Sequence, residues 1–341
     1  MHIHFTFKLR PAFILGALLL CALSGQASAA QADTTCGTGD FRTFFQQFAA
    51  NPVLQQASIA TPLTLQTLSD DPPLRIKLEK LGEAQRPSAL VPHPEQWTEL
   101  GLIPEWLPPS TVVLRGHQGE YLRTFVFKRK SCWVLKRVED WTLGGPQLIT
   151  DASAQPNAQH CLKRARAYER LGSTEQTPST QALFAAALDS YLCAAEAGSL
   201  EASYAAASLS LSGQAPRLQN SRIQALLEKA AKKRPEAALA LSDFYCTEGD
   251  YESERPCANP QQAAQALIAA ARMGSADALN QLGYAYEAGT LVEPDPSRAL
   301  ACYTSAADKG LARADKNVKR LATKGVPSDE RIECIQAGRQ P

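Results

Sequence analysis

The strongest constraint on this chain is a recurrence in its C-terminal half. The pattern Ala-Ala-x-x-Gly occurs as AADKG ending at Gly310, AARMG ending at Gly274 and AAEAG ending at Gly198. AAKKR, ending at Arg234, stands where a fourth copy belongs. The intervals are 36, 40 and 36 residues. A period in this range is that of stacked helical hairpins, each unable to bury its apolar side alone.

The first half of each unit repeats as well. Ala278, Leu282, Gly283, Tyr286 and Gly289 have counterparts at Ala202, Ala206, Ala207, Ser210 and Gly213. Further copies run through Ala237, Leu241, Ser242 and Tyr245, and through Ala314, Val318, Lys319, Ala322 and Gly325. Steps of four, one, three and three residues mark one face of a helix. Small residues there let a paired helix approach closely, glycine ends the helix in a left-handed turn, and Pro294-x-Pro296 starts the next.

These residues resemble the Sel1-like repeat family, whose unit reads approximately A-x-x-x-L-G-x-x-Y-x-x-G, then D-x-x-K-A, then A-A-x-x-G. The segments ALNQLGYAYEAG, PDPSRALACY and SAADKG match it, with Arg298 in the usual lysine position. The resemblance is specific over 276–310, degenerate over 200–234 and 236–274, and faint over 158–198. It implies an all-α solenoid over residues 158–325 that binds another protein, with no cofactor and no catalysis. The motif residues are then core. Binding falls to variable positions on the exposed face of the first helices: Asn280, Gln281, Tyr284 and Glu287, with Tyr204, Asp243 and Phe244 on neighbouring repeats.

At the other end, Lys8 and Arg10 precede an apolar run from Ala12 to Leu23, followed by Ala27-Ser28-Ala29. This is the pattern of a secretory signal peptide over residues 1–29, cut after Ala29 or Ala30, and it predicts an exported, periplasmic product. The run is too short to span a bilayer, and Leu20 before Cys21 is not the small residue that a lipoprotein signal needs. Removing Lys8 and Arg10 leaves 33 basic against 34 acidic residues. Such a balance gives no general reason to bind nucleic acid or anionic lipid.

Eight cysteines remain after Cys21 is lost: Cys36, Cys132, Cys161, Cys193, Cys246, Cys257, Cys302 and Cys334. An even number in an exported chain favours disulfides over metal sites. In an antiparallel hairpin the start of the first helix lies beside the end of the second, which pairs Cys161 with Cys193. Cys246 and Cys257 bracket TEGDYESERP, the insertion behind the 40-residue interval. Cys334 follows the last helix as it runs back toward Cys302, which leaves Cys36 with Cys132 in the first domain.

That first domain, residues 30–145, reads as α+β. FRTFFQQF places Phe41, Phe44, Phe45 and Phe48 at helical spacing, and Asn51-Pro52 ends or restarts the helix. After a proline-rich stretch from Asp71 to Pro109 come TVVLRG, EYLRTFVF and CWVLKRVEDWTL, joined by short turns. Three such runs predict an antiparallel meander. Helix, long irregular segment, then curved sheet is similar in outline to the nuclear-transport-factor-2-like fold, which can enclose a pocket. Gly144-Gly145-Pro146 opens a polar linker, residues 146–157, and residues 326–341 form a tail.

Chemistry is sparse. His93, His117 and His160 stand in three unrelated contexts, without H-E-x-x-H or a Cys-His zinc spacing. G-x-S-x-G, S-x-x-K and phosphate-loop motifs are missing. Lys128, Arg129, Lys130, Lys136 and Arg137 read as a solvated hairpin before they read as an anion site. Glu139 and Asp140, adjacent on a strand, face opposite sides and cannot act together. The sequence therefore predicts an exported protein-binding adaptor. Some periplasmic Sel1-like proteins neutralise toxic lipases delivered by contact-dependent secretion, so an immunity protein is one version. An envelope-assembly or polysaccharide-export scaffold, and a small-molecule site in the first domain, remain open.

Overall fold

The structure is a computed structural model, and it describes residues 40–69, 74–143, 157–174, 179–250, 256–329 and 331–335. The expected signal peptide, the linker up to residue 156 and Cys36 lie outside the described residues.

The chain opens with helix α1 (Phe41–Ala50), capped by Asp40, whose carboxylate accepts from the amides of Arg42 and Thr43. Asn51 caps a short α2 (Pro52–Ala57) in the same way, with Pro52 at the position where its missing N–H costs nothing. A six-stranded sheet follows: β1 (Ile59–Leu68), β2 (Ile76–Leu81), a helical turn α3 (Pro94–Trp97), then β3 (Leu102–Leu107), β4 (Thr111–Gly116), β5 (Leu122–Arg129) and β6 (Trp133–Asp140). The strand order is β2-β1-β6-β5-β4-β3. β3 to β6 form the expected antiparallel meander with one strand more, while β1 runs parallel to β6 and antiparallel to β2.

Both faces of the central strands are covered, which is why every residue of β4 is buried. Val112 and Leu114 point to the side of α1, where they join Phe44, Phe45, Phe48, Phe125 and Phe127 in one core. The rings fill the hollow of the sheet: Phe48 meets Phe127 edge-on at 5.1 Å and Phe45 meets Trp106 at 5.7 Å. The stripe of phenylalanines is thus packing.

Val113, Leu122 and Trp141 point the other way, into a core shared with Tyr168, Leu183 and Phe184. These belong to α4 (Ala158–Thr174) and α5 (Thr180–Glu196), the first helical hairpin. The β4–β5 turn seats on the same hairpin. Arg164 donates to the Gln118 carbonyl at 2.8 Å, and Ser190 Oγ lies 3.3 Å from that oxygen. Gly119 has φ +74°, and a Cβ there would lie 2.2 Å from Ser190 Oγ, so only glycine closes this approach. Buried polar groups are matched across the seam. Ser179 Oγ donates to Glu139 and lies 2.9 Å from Thr124 Oγ1, Trp141 Nε1 donates to Glu139 at 3.3 Å, and Arg115 pairs with both Glu105 and Asp189 of α5. Asp140 pairs with Arg123 across the β5–β6 ladder, apart from Glu139, as strand alternation requires.

Three further hairpins and a closing helix continue the stack from α5: α6 (Leu200–Leu211) with α7 (Asn220–Ala231), α8 (Pro235–Thr247) with α9 (Pro260–Arg272), α10 (Ala276–Ala288) with α11 (Pro296–Asp308), then α12 (Ala312–Thr323). Each packs on its neighbours in sequence. The repeated positions point inward: Ala202, Ala206, Ala237, Ala278, Leu282 and Ala314 are buried. Ser242, in the Gly283 position, is buried too and satisfies its hydroxyl on the Ala263 carbonyl at 2.8 Å. Lys319 holds that position in α12 and is exposed; among the described residues no second helix follows α12 to cover it.

Disulfides join Cys161 to Cys193 across the α4–α5 hairpin, Cys246 to Cys257 around the enlarged loop, and Cys302 of α11 to Cys334 after α12. Cys132, in the β5–β6 turn, is also disulfide-bonded; its expected partner Cys36 lies outside the described residues.

Candidate protein-binding face

The first helices of the repeats, α4, α6, α8, α10 and α12, lie side by side, and side chains about one period apart meet. Arg166 pairs with Glu201, Asp277 with Arg313, and Asn280 with Asn317 at 3.0 Å. The helix register follows from local signals. Ser275 accepts from the amide of Ala278 at the start of α10, and Gly289, at φ +68°, ends it by donating to the Ala285 carbonyl. Gly283 is small for a contact reason: a Cβ there would stand 2.8 Å from the Tyr303 ring.

That contact places the Tyr303 hydroxyl 3.1 Å from Glu287 Oε2, to which it donates. Arg320 of α12 holds the same carboxylate through both guanidinium arms, and Lys324 lies 3.5 Å away. Hydrogen bonding from Arg320 outweighs partial burial and holds the Glu287 carboxyl at about 2. Burial, with the Glu287 charge and hydrogen bond added, pushes the Tyr303 phenol up.

The residues expected on the exposed face divide accordingly. Tyr284 is there, 61 % exposed, between the Asn280–Asn317 and Glu287–Arg320 contacts. Tyr204 lines a groove of about 430 Å³ with Glu169, Glu201, Ser208, Gln214 and Arg234, over α4 and α6 toward α8. Gln281 and Asp243 are half-buried on α10 and α8, and burial raises the Asp243 carboxyl above its usual range. Asn280 and Glu287 are engaged with α12 and act in holding the closing helix.

Phe244 is a correction. It is 2 % exposed and packs with Ile223, Leu227 and Leu241. In the repeat register it corresponds to Ala285, which is buried as well, so alignment of the copies would have placed it inside. The groove residues Glu169, Ser208 and Arg234 were not anticipated. Ser208 is the register counterpart of Tyr284, and that correspondence was the available signal.

His93, His117 and His160 fall on α3, the β4–β5 turn and α4. Among the described residues no group of three or more His, Cys, Asp or Glu side chains is arranged to hold a metal, and no helix is long and apolar enough to cross a membrane.

Residues 276–311 match the Sel1 repeat family model. A comparison with curated proteins found no match. Among solved structures, a protective antigen of uropathogenic Escherichia coli displaying an SLR fold aligns at 22 % identity and TM-score 0.44, over 53 % of this chain and 37 % of the antigen, little more than a third of its length. A Sel1 repeat protein from Oxalobacter formigenes aligns at 22 % identity and TM-score 0.42, over 54 % of this chain and 72 % of that one. An NTF2-like protein from Bacteroides fragilis aligns at 22 % identity and TM-score 0.21, over 31 % of this chain and 48 % of that one. By the family model, residues 276–311 are a Sel1 repeat.

Proposed function

We propose that the chain is an exported, non-enzymatic adaptor that grips a partner protein on the exposed face of its first helices. We further propose that the partner is a toxic lipase, which the chain neutralises in the periplasm as an immunity protein. The observation that carries the binding reading is Tyr284. It is a large ring left 61 % exposed on a helix whose repeated positions are all buried, and such an aromatic buries much area at little entropy cost when a partner arrives. Three disulfides among the described residues support an oxidising compartment, and N-terminal sequencing of the mature chain tests export by finding Ala30 or Gln31 first.

The experiment for the function is capture and protection. Tyr284→Ala keeps the melting temperature of the parent but weakens capture of the partner by about tenfold or more. Leu282→Asp, which puts a charge at a fully buried position, unfolds the hairpin and serves as the contrast. Co-expression with a lipase toxin encoded beside this chain tests the specific role: survival that depends on Tyr284 supports it, whereas killing despite the folded chain refutes it. A stable Tyr284→Ala variant that binds normally moves the site away from this face.

A further inference from the structure

Charge is unevenly placed along the first-helix face. At its C-terminal end α12 carries Arg313, Lys316, Arg320 and Lys324 at helical spacings of three and four, on the stripe that meets α10. α10 answers with two carboxylates, Asp277 and Glu287, which are already taken by Arg313 and Arg320. Lys324 shares Glu287 at 3.5 Å, and exposed Lys316 has no ion pair among the described residues. A surplus of about two positive charges is therefore left where α12 meets α10, the helix that exposes Tyr284. The groove at the other end lacks this surplus, because Glu201 is paired with Arg166, Arg234 with Glu236, and Glu169 accepts from the Tyr191 hydroxyl.

We infer that the α10–α12 end of this face receives an acidic segment of the protein partner, its carboxylates against Lys316, Arg320 and Lys324 and an apolar side chain on Tyr284. The inference rests on the adaptor reading above. Exposed charges act over only about 8 Å at physiological ionic strength, so the recognition is by contact. The positive surplus at this one end of the face then orients the partner, with its acidic end toward α12. The apolar side of α12, Ala314 and Leu321, is buried within the stack, which leaves it nothing to insert into a lipid surface and favours a protein segment.

The test uses the full oxidised chain and a short fluorescein-labelled peptide of Asp and Glu with one central Phe, beside the same peptide with Lys in place of the acids. The acidic peptide binds and weakens as salt rises, and the basic one does not bind. Lys316→Glu weakens binding by about tenfold, Tyr284→Ala by a similar factor, and Lys163→Glu, the same charge change on exposed α4, has no effect. Equal binding of both peptides, or insensitivity to Lys316→Glu, overturns the inference. So does binding of phosphatidylglycerol vesicles through Lys316 in place of the peptide. If Tyr284→Ala abolishes partner capture while Lys316→Glu leaves it intact, the adaptor reading stands and the acidic segment falls; if neither variant affects capture, the binding site lies off this face and the acidic-segment inference falls with it.

Discussion

Trp141 is the side chain on which the coupling of sheet and helices can be decided. It is fully buried, it directly follows β6, and it belongs to the core that joins Val113 and Leu122 to Tyr168 and Leu183. Trp141→Ala removes that volume at a cost of about 3–5 kcal/mol. The lost indole donor adds less than about 1 kcal/mol, because Glu139 keeps Ser179 and the Arg137 guanidinium 2.8 Å away. At ~2–4 °C per kcal/mol for a unit of this size, the midpoint falls by roughly 6–20 °C. The remaining tryptophans, Trp97, Trp106 and Trp133, all lie in the sheet domain, so their fluorescence reports the sheet while far-ultraviolet circular dichroism reports the helices. Both transitions shift together if the seam is a shared core. A sheet transition that moves while the helical one stays in place refutes this reasoning and restores the independent solenoid that the linker composition suggests.

Two further outcomes follow from the closing helix. Glu287 has its carboxyl pKa held at about 2 against an ordinary 4.5, so its contribution is complete above pH 4.5 and is lost as pH falls toward 2; amide exchange in α12 should accelerate over that window, and Glu287→Gln should remove the pH dependence. Cys334→Ser opens the 32-residue separation closed on Cys302, and should cost about 2–4 kcal/mol, read as earlier melting of α11–α12 with α4–α5 unchanged.

The helices were legible because their burial follows one repeat, and Ala278, Leu282 and Tyr286 write that repeat without interruption. The disulfides followed once the hairpins were set, since antiparallel helices bring Cys161 beside Cys193. Strands β1, β2 and β3 were not legible. β1 follows directly on a helix without a turn signal, β2 is an edge strand that is mostly exposed and so shows little alternation of burial, and β3 contains Pro104, tolerated because β3 is the other edge. The seam between sheet and hairpin was hidden for a different reason. Val113, Arg115 and Glu139 look like ordinary sheet residues until a second layer is present to receive them. Asn280 and Glu287 were legible as solvent-side positions, but their partners on α12 depend on the pitch of the stack, which composition does not report.

The seating of the sheet on α4–α5 also sets where this protein can gain or lose material. A duplication of one 36-residue unit inserted between α9 and α10 would meet complementary neighbours on both sides and leave both ends of the stack intact. The same event at the first hairpin would offer the sheet the wrong surface, because Gly119, Ser190 and Glu139 fit only that pair of helices. Growth by tandem duplication is therefore open toward α12 and closed at α4, and each added unit carries the α10–α12 end farther from the sheet.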